Sequence, residues 1–249
     1  MLLQGKSAIV YGGGGAVGGA VSRAFAREGA RVFLAGRTAA TLETVAAAIR
    51  AAGGAAETAV VDALDERAVD AHADAVAAAA GGIDISFCLV SQGDVQGTPL
   101  VEMAVDDVLR PVDTTVRATF ITARAAARHM IRRRSGVILA LGGYGDPVPN
   151  VGGLQLAFGA VEALRRALAL ELGAYGIRVV TLQTGGIPES LPPDMEGAAA
   201  VSEMIVAKTM LGRAATLDDV GNVAAFAASD LARTMTATQI NITAGSEVD

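Results

Sequence analysis

Short apolar runs alternate with longer segments of helical periodicity along the whole chain. The runs that we interpret as strands span residues 7–10, 31–35, 57–61, 83–90, 137–141, 178–182 and 239–242. Regular alternation of strands with helices is typical of a parallel sheet that helices cover on both faces. The pattern therefore predicts an α/β fold: a doubly wound parallel sheet of about seven strands in a three-layer α/β/α arrangement, formed by residues 1–249 as a single domain.

The segments between the strands carry apolar residues at the three- and four-residue spacing of a helix face. Helices are predicted from the loop after the first strand to Gly29, over 42–52, 65–80 and about 106–133, in a long segment that ends near Tyr175, and over 217–229. Residues 183 to about 203 are less regular and contain Gly, Pro and Ser. Such a composition is typical of a connection outside the core, and we expect a mobile lid there.

Between the first predicted strand and the first predicted helix lies the glycine-rich stretch VYGGGGAVGG, residues 10–19. Unpaired backbone N–H groups at a helix N-terminus carry the positive end of the helix dipole, and glycines let a diphosphate come close. Because the next predicted element is a strand, the stretch fits the start of a βαβ unit and favours a nucleotide-binding site. A flexible turn is the alternative interpretation.

The residues after the second predicted strand bear on the choice of nucleotide. An acidic residue about twenty positions beyond such a loop would bind the adenosine ribose hydroxyls. The chain reads Leu34-Ala35-Gly36-Arg37-Thr38 here, with no carboxylate. Arg37 and Thr38 could instead bind a 2′-phosphate through a charge-assisted contact, which favours NADP(H) over NAD(H). The alternative is that Arg37 is an ordinary loop arginine.

The third predicted strand ends at Val61-Asp62-Ala63. The carboxylate of Asp62 would lie at the carboxyl edge of the sheet, where it could accept a hydrogen bond from an adenine amino group. On spacing alone, a helix-capping or turn role for Asp62 is equally compatible.

Composition narrows the class of protein. The chain has 249 residues, of which 52% are apolar, enough for one large α/β domain. Its net charge of −6 argues against nucleic-acid binding. The apolar stretches are too short to span a bilayer, and the first residues lack the regions of a signal peptide, so we expect a cytoplasmic protein that binds no membrane.

Two local features have a structural interpretation. Cys88 is the only cysteine and falls in the apolar run 83–90, so we expect a buried strand residue. Basic residues gather before Ser135-Gly136, where cations suit the negative end of a helix dipole and are expected to be solvated. The members of this basic cluster are Arg128, His129, Arg132, Arg133 and Arg134.

Several motifs in order resemble the short-chain dehydrogenase/reductase family over nearly the whole chain. They are the loop of residues 12–18, similar to Gly-x-x-x-Gly-x-Gly with Ala16 at the middle glycine; Asp62; LEL at 170–172 before YGIRV at 175–179; GR at 212–213 through DV at 219–220; ASD at 228–230; and Thr236. The resemblance implies a Rossmann-type fold and a nicotinamide cofactor across the carboxyl ends of the strands. It also implies a small-molecule substrate.

The resemblance further implies which residues would contact the cofactor. They are Gly12, Gly14, Gly15, Ala16, Val17, Gly18, Arg37, Thr38, Asp62, Ala63, Ser91, Gln92, Gly93, Thr184, Gly185 and Ile187. A homo-oligomer, tetramer or dimer, is implied as well, packed through the two long helices and the last strand. Alanine-rich faces such as 123–127 and 157–172 would suit packing between subunits or would only cover the sheet.

The chain departs from this family at the residues that do the chemistry. The family tyrosine and lysine fall on Leu154 and Phe158, the serine on Gly143 and the asparagine on about Thr115. The only lysines in the chain are Lys6 and Lys208, so no shift of the alignment restores the pair. The usual proton transfer from a tyrosine with a lysine-lowered pKa is therefore not expected.

Other polar residues follow the predicted strands. Tyr144 is the best candidate for a substitute proton donor, although it could also simply line the pocket. Asp94 or Glu189 would need a pKa raised by burial to act as a general base. Tyr11 is expected to pack rather than react.

Two classes of function stay open at the sequence level. In the first, NADPH delivers a hydride to a small carbonyl compound, or the oxidised cofactor accepts one from an alcohol, by a non-standard mechanism. The second class is a redox-silent protein of the same fold that binds a nucleotide, or a non-redox cyclase or lyase. No metal site is predicted.

Overall fold

Seven parallel strands form a single sheet in the computed structural model, which describes residues 1–142, 148–192 and 194–248. The strands are β1 (Ser7–Tyr11), β2 (Arg31–Gly36), β3 (Ala55–Val60), β4 (Ile85–Cys88), β5 (Gly136–Gly142), β6 (Ile177–Gln183) and β7 (Thr238–Asn241). Their order in the sheet is β3-β2-β1-β4-β5-β6-β7. The predicted fold class is confirmed.

The strand order reverses between β1 and β4. Val10 of β1 pairs with Leu34 of β2 on one side and with Phe87 of β4 on the other. Successive connections from β1 run towards β3, whereas those from β4 run towards β7. The two sets of connections therefore diverge above the β1/β4 boundary, and a crevice at the carboxyl ends of the strands is the expected place for a ligand.

Seven α-helices cover the sheet or its carboxyl edge in the described part of the chain. They are α1 (Ala16–Arg27), α2 (Ala39–Ala51), α3 (Glu66–Ala80), α4 (Val105–Arg133), α5 (Leu154–Leu172), α6 (Ala198–Ala207) and α7 (Leu217–Ala228). Short 3-10 turns include Pro188–Ser190. Side chains of α1, α2 and α7 pack on one face of the sheet, and those of α3, α4 and α5 pack on the other.

Alternation along each strand supplies the two faces of the core. In β1, Val10 belongs to the cluster under α1, α2 and α7, while Ile9 and Tyr11 belong to the cluster under α3, α4 and α5. A strand in the middle of a sheet that is covered on both sides has apolar residues in succession, because successive side chains point to opposite faces. This explains the continuous apolar run at the start of the chain.

Some predicted boundaries differ from the structure. α2 begins at Ala39, three residues before the predicted start, and β4 ends at Cys88 rather than at residue 90. The prediction of irregular structure up to about residue 203 is wrong over its last part, because α6 spans Ala198–Ala207 and none of its residues is buried. Its apolar residues lie all around the helix, so they produced no helical period in the sequence.

The basic cluster is largely exposed, as predicted, and most of its members also contact residues of neighbouring elements. The α4 residues Arg128 and His129 lie 2.9 and 2.8 Å from the carboxylates of Asp70 and Asp74 on α3. Arg133 lies 3.2 Å from Asp84, and Arg134 donates to a backbone carbonyl. α3 carries acids at four-residue spacing, which puts them on one helix face opposite the cations of α4. Most residues of this basic cluster therefore connect α4 to α3 or to other neighbouring segments of the chain.

The alanine face 123–127 of α4 covers the sheet. Ala123, Ala125, Ala126 and Ala127 are all buried within the chain and belong to its core. The sheet-covering alternative is therefore the correct one for these residues. Cys88 is a buried free thiol at the end of β4, as predicted, and burial raises its pKa.

The start of α7 has a reciprocal cap with a pH-dependent effect. Thr216 accepts a hydrogen bond from the Asp219 N–H, and the Asp219 carboxylate accepts from the Thr216 N–H and hydroxyl, which lowers the pKa of Asp219 below its ordinary 3.8. We expect Asp219→Ala to lower the free energy of unfolding by about 1 kcal/mol at pH 7. Since the native pKa is depressed, the loss should be full above pH 3.8 and should disappear as the pH falls through the native pKa.

Urea unfolding of wild type and Asp219→Ala between pH 2.5 and 7 measures this difference. The matched control is Asp218→Ala in the same helix turn, whose carboxylate is not part of the cap. A difference that stays constant down to the lowest pH would contradict the prediction.

Candidate functional site

Two glycines of the loop are required by close backbone contacts. Gly12 has a φ of +79°, and a Cβ on it would lie 2.2 Å from the Leu89 carbonyl oxygen. A Cβ on Gly18 would lie 2.1 Å from the Gly12 carbonyl oxygen. Because glycine has no side chain, β1, the end of β4 and the first turn of α1 can pack closely at this loop. The loop backbone thereby reaches the crevice.

The N-terminus of α1 is free to bind an anion. The residue before the helix, Gly15, is extended and has no side chain to cap the N–H groups, and the first turn contains no acidic residue. Four N–H groups at a helix N-terminus lack partners in the helix and carry the positive end of the dipole. Ala16 and Val17 begin this helix and line the crevice. The arrangement fits a diphosphate.

A long cleft crosses the carboxyl ends of the central strands in two connected sections. The first section has a volume of about 340 Å³ and the second about 280 Å³. Both are lined by Gly15, Leu89, Val90 and Ser91, so they meet at the start of α1. We call them the Arg37 section and the Thr115 section.

The Arg37 section contains a cation without a protein partner among the described residues. Arg37 is exposed, lines this section and forms no ion pair or hydrogen bond with another described residue. Thr38 precedes α2 and its hydroxyl does not cap the helix, so the N–H groups at that terminus are free too. A guanidinium beside a helix N-terminus suits a doubly charged phosphate.

Asp62 both fixes a turn and lines the cleft. Its carboxylate accepts a hydrogen bond from the Leu64 N–H at 3.0 Å, which fixes a turn after β3. The same residue lines the Arg37 section together with Ala63. The helix-capping role belongs to Asp65, which accepts from the N–H groups of Arg67 and Ala68.

Tyr11 packs beneath the Arg37 section. Its side chain is 1% exposed, and its phenol oxygen lies 3.4 Å from Nδ1 of His72. Burial raises the pKa of Tyr11 and lowers the pKa of His72, so both stay neutral at pH 7. The prediction that Tyr11 packs is confirmed.

The Thr115 section is lined by uncharged polar groups. Thr115 is 6% exposed, and its hydroxyl has no hydrogen-bond partner among the described residues. Thr119, one turn further along α4, lines the same section with Ser91 and Gln92. Sequence reasoning missed that Thr119, Cys88 and Leu141 line this section.

The two residues that the resemblance assigns to the family's tyrosine and lysine are both hydrophobic. Leu154 and Phe158 lie on the first two turns of α5 and are half-buried. Phe158 is near the end of β5, since its Cδ1 lies 3.8 Å from the position of a Cβ on Gly142. Neither side chain can donate or accept a proton. Gly143 and Tyr144 lie outside the described residues.

The alternative general bases are engaged elsewhere. Asp94 is half-buried and accepts a hydrogen bond from Gln96 Nε2 at 2.6 Å. Glu189 accepts from the Leu217 N–H at the start of α7. Neither carboxylate lines the cleft. The structure therefore gives no support to a general-base role for Asp94 or Glu189.

Most of the predicted cofactor contacts line the cleft. Those that line it are Gly12, Gly14, Gly15, Ala16, Val17, Gly18, Arg37, Thr38, Asp62, Ala63, Ser91 and Gln92. Four others lie on the loops after β4 and β6 and are not among the lining residues: Gly93, Thr184, Gly185 and Ile187. Thr41 in the first turn of α2 lines the Arg37 section and was not predicted.

A buried ion pair lies next to Phe158. Glu162 and Arg165 of α5 are 5% and 4% exposed. One carboxylate oxygen of Glu162 accepts from Arg165 Nε at 2.9 Å and Nη2 at 2.8 Å, and the other accepts from the Thr181 hydroxyl. Through Thr181, the pair holds α5 to β6 one helical turn after Phe158. Sequence analysis treated this helix face as alanine-rich cover and missed the pair.

Comparisons with known proteins agree with this geometry. The family model described as enoyl-(acyl carrier protein) reductase matches residues 14–247. Galactitol 2-dehydrogenase of Rhizobium johnstonii is 32% identical over 248 residues, 98% of this chain and 95% of the relative. Gluconate 5-dehydrogenase of Gluconobacter oxydans is 29% identical over 230 residues, 91% of this chain and 89% of the relative.

Solved structures with a similar fold point to the same kind of protein as the sequence relatives. A short-chain dehydrogenase/reductase from Mycobacterium ulcerans superposes with a TM-score of 0.92 at 27% identity, over 99% of this chain and 91% of that one. The NAD+-bound xylitol dehydrogenase structure has a TM-score of 0.88 at 26% identity, over 98% and 100%. The fold and the cleft together are those of an α/β protein of the dinucleotide-binding class. The chain belongs to the short-chain dehydrogenase/reductase family. The dehydrogenases among its relatives support its assignment as an NAD(P)-dependent oxidoreductase.

No described helix is both long and apolar enough to cross a membrane. Within the same residues, no three histidine, cysteine or carboxylate side chains come together as a metal site would require.

Proposed function

We propose that this chain is an NADP(H)-dependent oxidoreductase that acts on a small carbonyl or alcohol substrate by a non-standard proton transfer. The observation that carries the proposal is the cleft itself, which joins an uncapped helix N-terminus and an unpaired arginine to a section lined by Thr115, Thr119 and Ser190. Residues 1–249 would act as one dinucleotide-binding domain. The dehydrogenase relatives support hydride transfer.

Different residues of the cleft fit different parts of such a cofactor. The N–H groups at the start of α1 would bind the diphosphate, Arg37 with the start of α2 would bind the 2′-phosphate, and Asp62 would bind the adenine. Val17 and Thr115 would then lie at the nicotinamide end. When bound, NADPH supplies a hydride equivalent at that end of the cleft. Correct placement of the substrate against it contributes much of the rate enhancement.

Arg37 provides the first test of the cofactor assignment. We expect Arg37→Ala to raise the Kd for NADPH by about 10-fold to 100-fold, because a charge-assisted bond to the 2′-phosphate is lost. The Kd for NADH, which lacks that phosphate, should stay unchanged. Titration of the fluorescence of both dinucleotides measures the two constants, with Arg166→Ala on the exposed side of α5 as a matched control. An unchanged preference would make the 2′-phosphate assignment wrong.

The proton in the proposed reaction can come from Tyr144 or from water. If Tyr144 is the donor, Tyr144→Phe should lower kcat for carbonyl reduction by about 100-fold while the Kd for NADPH stays the same. The control is Tyr175→Phe, which changes a tyrosine at the far end of α5. A kcat that does not change would assign the proton to water.

A redox-silent nucleotide-binding protein is the second candidate. It is favoured by the same two apolar residues, Leu154 and Phe158, since they remove both groups of the family's proton transfer. Titration with NADPH and NADH separates the candidates when it is followed by assays of ketones and aldehydes with NADPH, and of polyols with NADP+. Loss of NADPH absorbance with a carbonyl compound, or its appearance with a polyol, supports the oxidoreductase. Tight binding with no turnover of any compound supports the redox-silent protein.

We also propose a homo-oligomer, a tetramer or a dimer. Apolar side chains remain exposed on both long helices, including Phe120 on α4 and Leu156 on α5. A second copy would cover them through the helices and the last strand. A solution mass equal to one 25.0 kDa chain would contradict this proposal.

A further inference from the structure

Three threonines of α4 form a buried row on one face of the helix. Thr115, Thr119 and Thr122 are 6%, 7% and 2% exposed, and their spacing of four and three residues puts them on the same side of α4. The Thr122 hydroxyl donates to the Ala118 carbonyl at 2.8 Å. Side-chain hydrogen bonds also join Thr119 and Thr122 to the thiol of Cys88 at the end of β4. Two of the three hydroxyls are therefore satisfied within the chain.

The hydroxyl of Thr115 is the exception in this row. It has no hydrogen-bond partner among the described residues, and its oxygen is shielded from solvent. A helical threonine commonly bonds the carbonyl four residues earlier, as Thr122 does, but Thr115 does not bond that of Pro111. A buried polar group without a partner costs free energy relative to the unfolded chain, in which water bonds it. Such a group is expected to meet its partner in a complex.

Thr115 lies where a ligand can supply that partner. It lines the Thr115 section of the cleft together with Val17 in the first turn of α1. The other buried or half-buried hydroxyls of this section already have partners: Ser190 donates to the Ile187 carbonyl at 2.7 Å, and Thr119 is bonded to Cys88. Among the described lining residues, Thr115 is thus the buried hydroxyl that keeps its full hydrogen-bonding capacity.

The proposed reaction needs a hydrogen-bond donor at the reacting oxygen of the substrate. As the carbonyl carbon accepts the hydride, the π electron pair moves onto the oxygen and gives an alkoxide, which then takes a proton from Tyr144 or from water. Leu154 and Phe158 have no polar group that could bond this oxygen, and the carboxylates of Asp94 and Glu189 do not line the cleft. A neutral donor placed at the developing charge lowers the barrier.

We propose that the Thr115 hydroxyl donates a hydrogen bond to the reacting oxygen of the substrate, and that it stays unpaired in the free protein until the substrate binds. Thr115 keeps its own proton, so it stabilises the alkoxide and is not the acid. Threonine adopts two χ1 rotamers in helices, so a rotation of this side chain turns the hydroxyl towards the section while α4 stays in place. This inference rests on the proposed function and adds a substrate-binding residue to the same site.

The first test measures the stability of the free protein, without any ligand. Thr115→Val replaces the unpaired hydroxyl with a methyl group, so the midpoint of urea unfolding should rise by about 0.3 M or more. The matched control is Thr122→Val, which removes a satisfied hydroxyl from the same buried row and should lower the midpoint by about as much. A lower midpoint for Thr115→Val would show that this hydroxyl already has a partner in the free protein, which overturns the inference.

The second test separates the substrate from the cofactor as the partner of Thr115. The carbonyl probes are dihydroxyacetone, cyclohexanone and 4-nitrobenzaldehyde, each with NADPH. For every probe that the wild type reduces, Thr115→Val should lower kcat by about 10-fold to 100-fold, because a donor to the alkoxide is lost. Thr115→Ser, which keeps the hydroxyl, should stay within about threefold of the wild type. Thr122→Val should keep the wild-type kcat, and the Kd for NADPH should be the same in all four proteins.

The outcomes distinguish this inference from the proposed function. An unchanged kcat in Thr115→Val, or a Kd for NADPH that rises in this variant, would overturn the inference and leave the oxidoreductase in place. A wild-type protein that reduces neither these probes nor any other carbonyl compound, and oxidises no alcohol, would overturn the proposed function and the inference with it.

Discussion

Gly18→Ala is expected to abolish NADPH binding at micromolar concentrations, with a Kd at least about 100-fold above that of the wild type. The new methyl group would lie 2.1 Å from the Gly12 carbonyl oxygen and 2.8 Å from its carbonyl carbon. Both are backbone atoms, so no rotamer change relieves the contact, and α1 must move away from the loop. A 100-fold change corresponds to about 2.7 kcal/mol of binding free energy.

The comparison variant is Gly159→Ala, a glycine of α5 with nothing within 4 Å of its Cβ position. It should keep the wild-type Kd for NADPH and raise the free energy of unfolding slightly, because alanine favours a helix by up to about 1 kcal/mol over glycine. Fluorescence titration and urea unfolding of both variants provide the measurements. A folded Gly18→Ala protein with wild-type affinity would show that the close approach of α1 to the loop is not needed for binding.

Arg165→Met is expected to have the largest effect on stability of any single substitution proposed here, a loss of about 3–5 kcal/mol in the free energy of unfolding. The carboxylate of Glu162 would stay buried with only the Thr181 hydroxyl as a partner. A charge without compensation in an apolar interior is strongly unfavourable. Because a loss of this size can prevent folding, the double variant Glu162→Leu/Arg165→Met completes the test.

The double variant should recover much of the loss, since it removes both charges and fills the space with apolar side chains. Arg117→Met serves as the surface control: it breaks an exposed pair with Asp113 on α4 and should cost a small fraction as much. Urea unfolding at pH 7 measures all three. If Arg165→Met is no less stable than Arg117→Met, the pair contributes nothing that depends on burial.

Local chemistry made much of the site predictable from sequence. Gly12, Gly18 and Arg37 lie within one βα unit and the residues that follow it, where spacing along the chain determines position in space. Thr119 was different, because the sheet brings α4 to this section from a distant part of the chain. Its polarity is visible in the sequence, but its place beside Ser91 and Ser190 is not.

Two sets of contacts were missed for a related physical reason. Glu162 and Arg165 look like an ordinary surface pair at i, i+3 on a helix, and only the position of Thr181 in the next strand shows that they are buried. Likewise, the pairing of the exposed α4 cations with Asp70 and Asp74 was not visible, because these partners are more than fifty residues away. The partners of charged side chains are set by tertiary contacts, which no local sequence pattern reveals. The positions that require glycine are set by the local backbone, which the sequence pattern does reveal.

The uncapped N-terminus of α1 has a consequence for the amount of folded protein. Its first N–H groups have no side chain to bond them, so the folded chain gains from any anion that occupies that place. A dinucleotide that binds only the folded state at 100 times its Kd adds about 2.7 kcal/mol to the free energy of unfolding. Resistance to proteolysis would then follow the concentration of free dinucleotide, and the lifetime of this polypeptide would report on the supply of its own ligand.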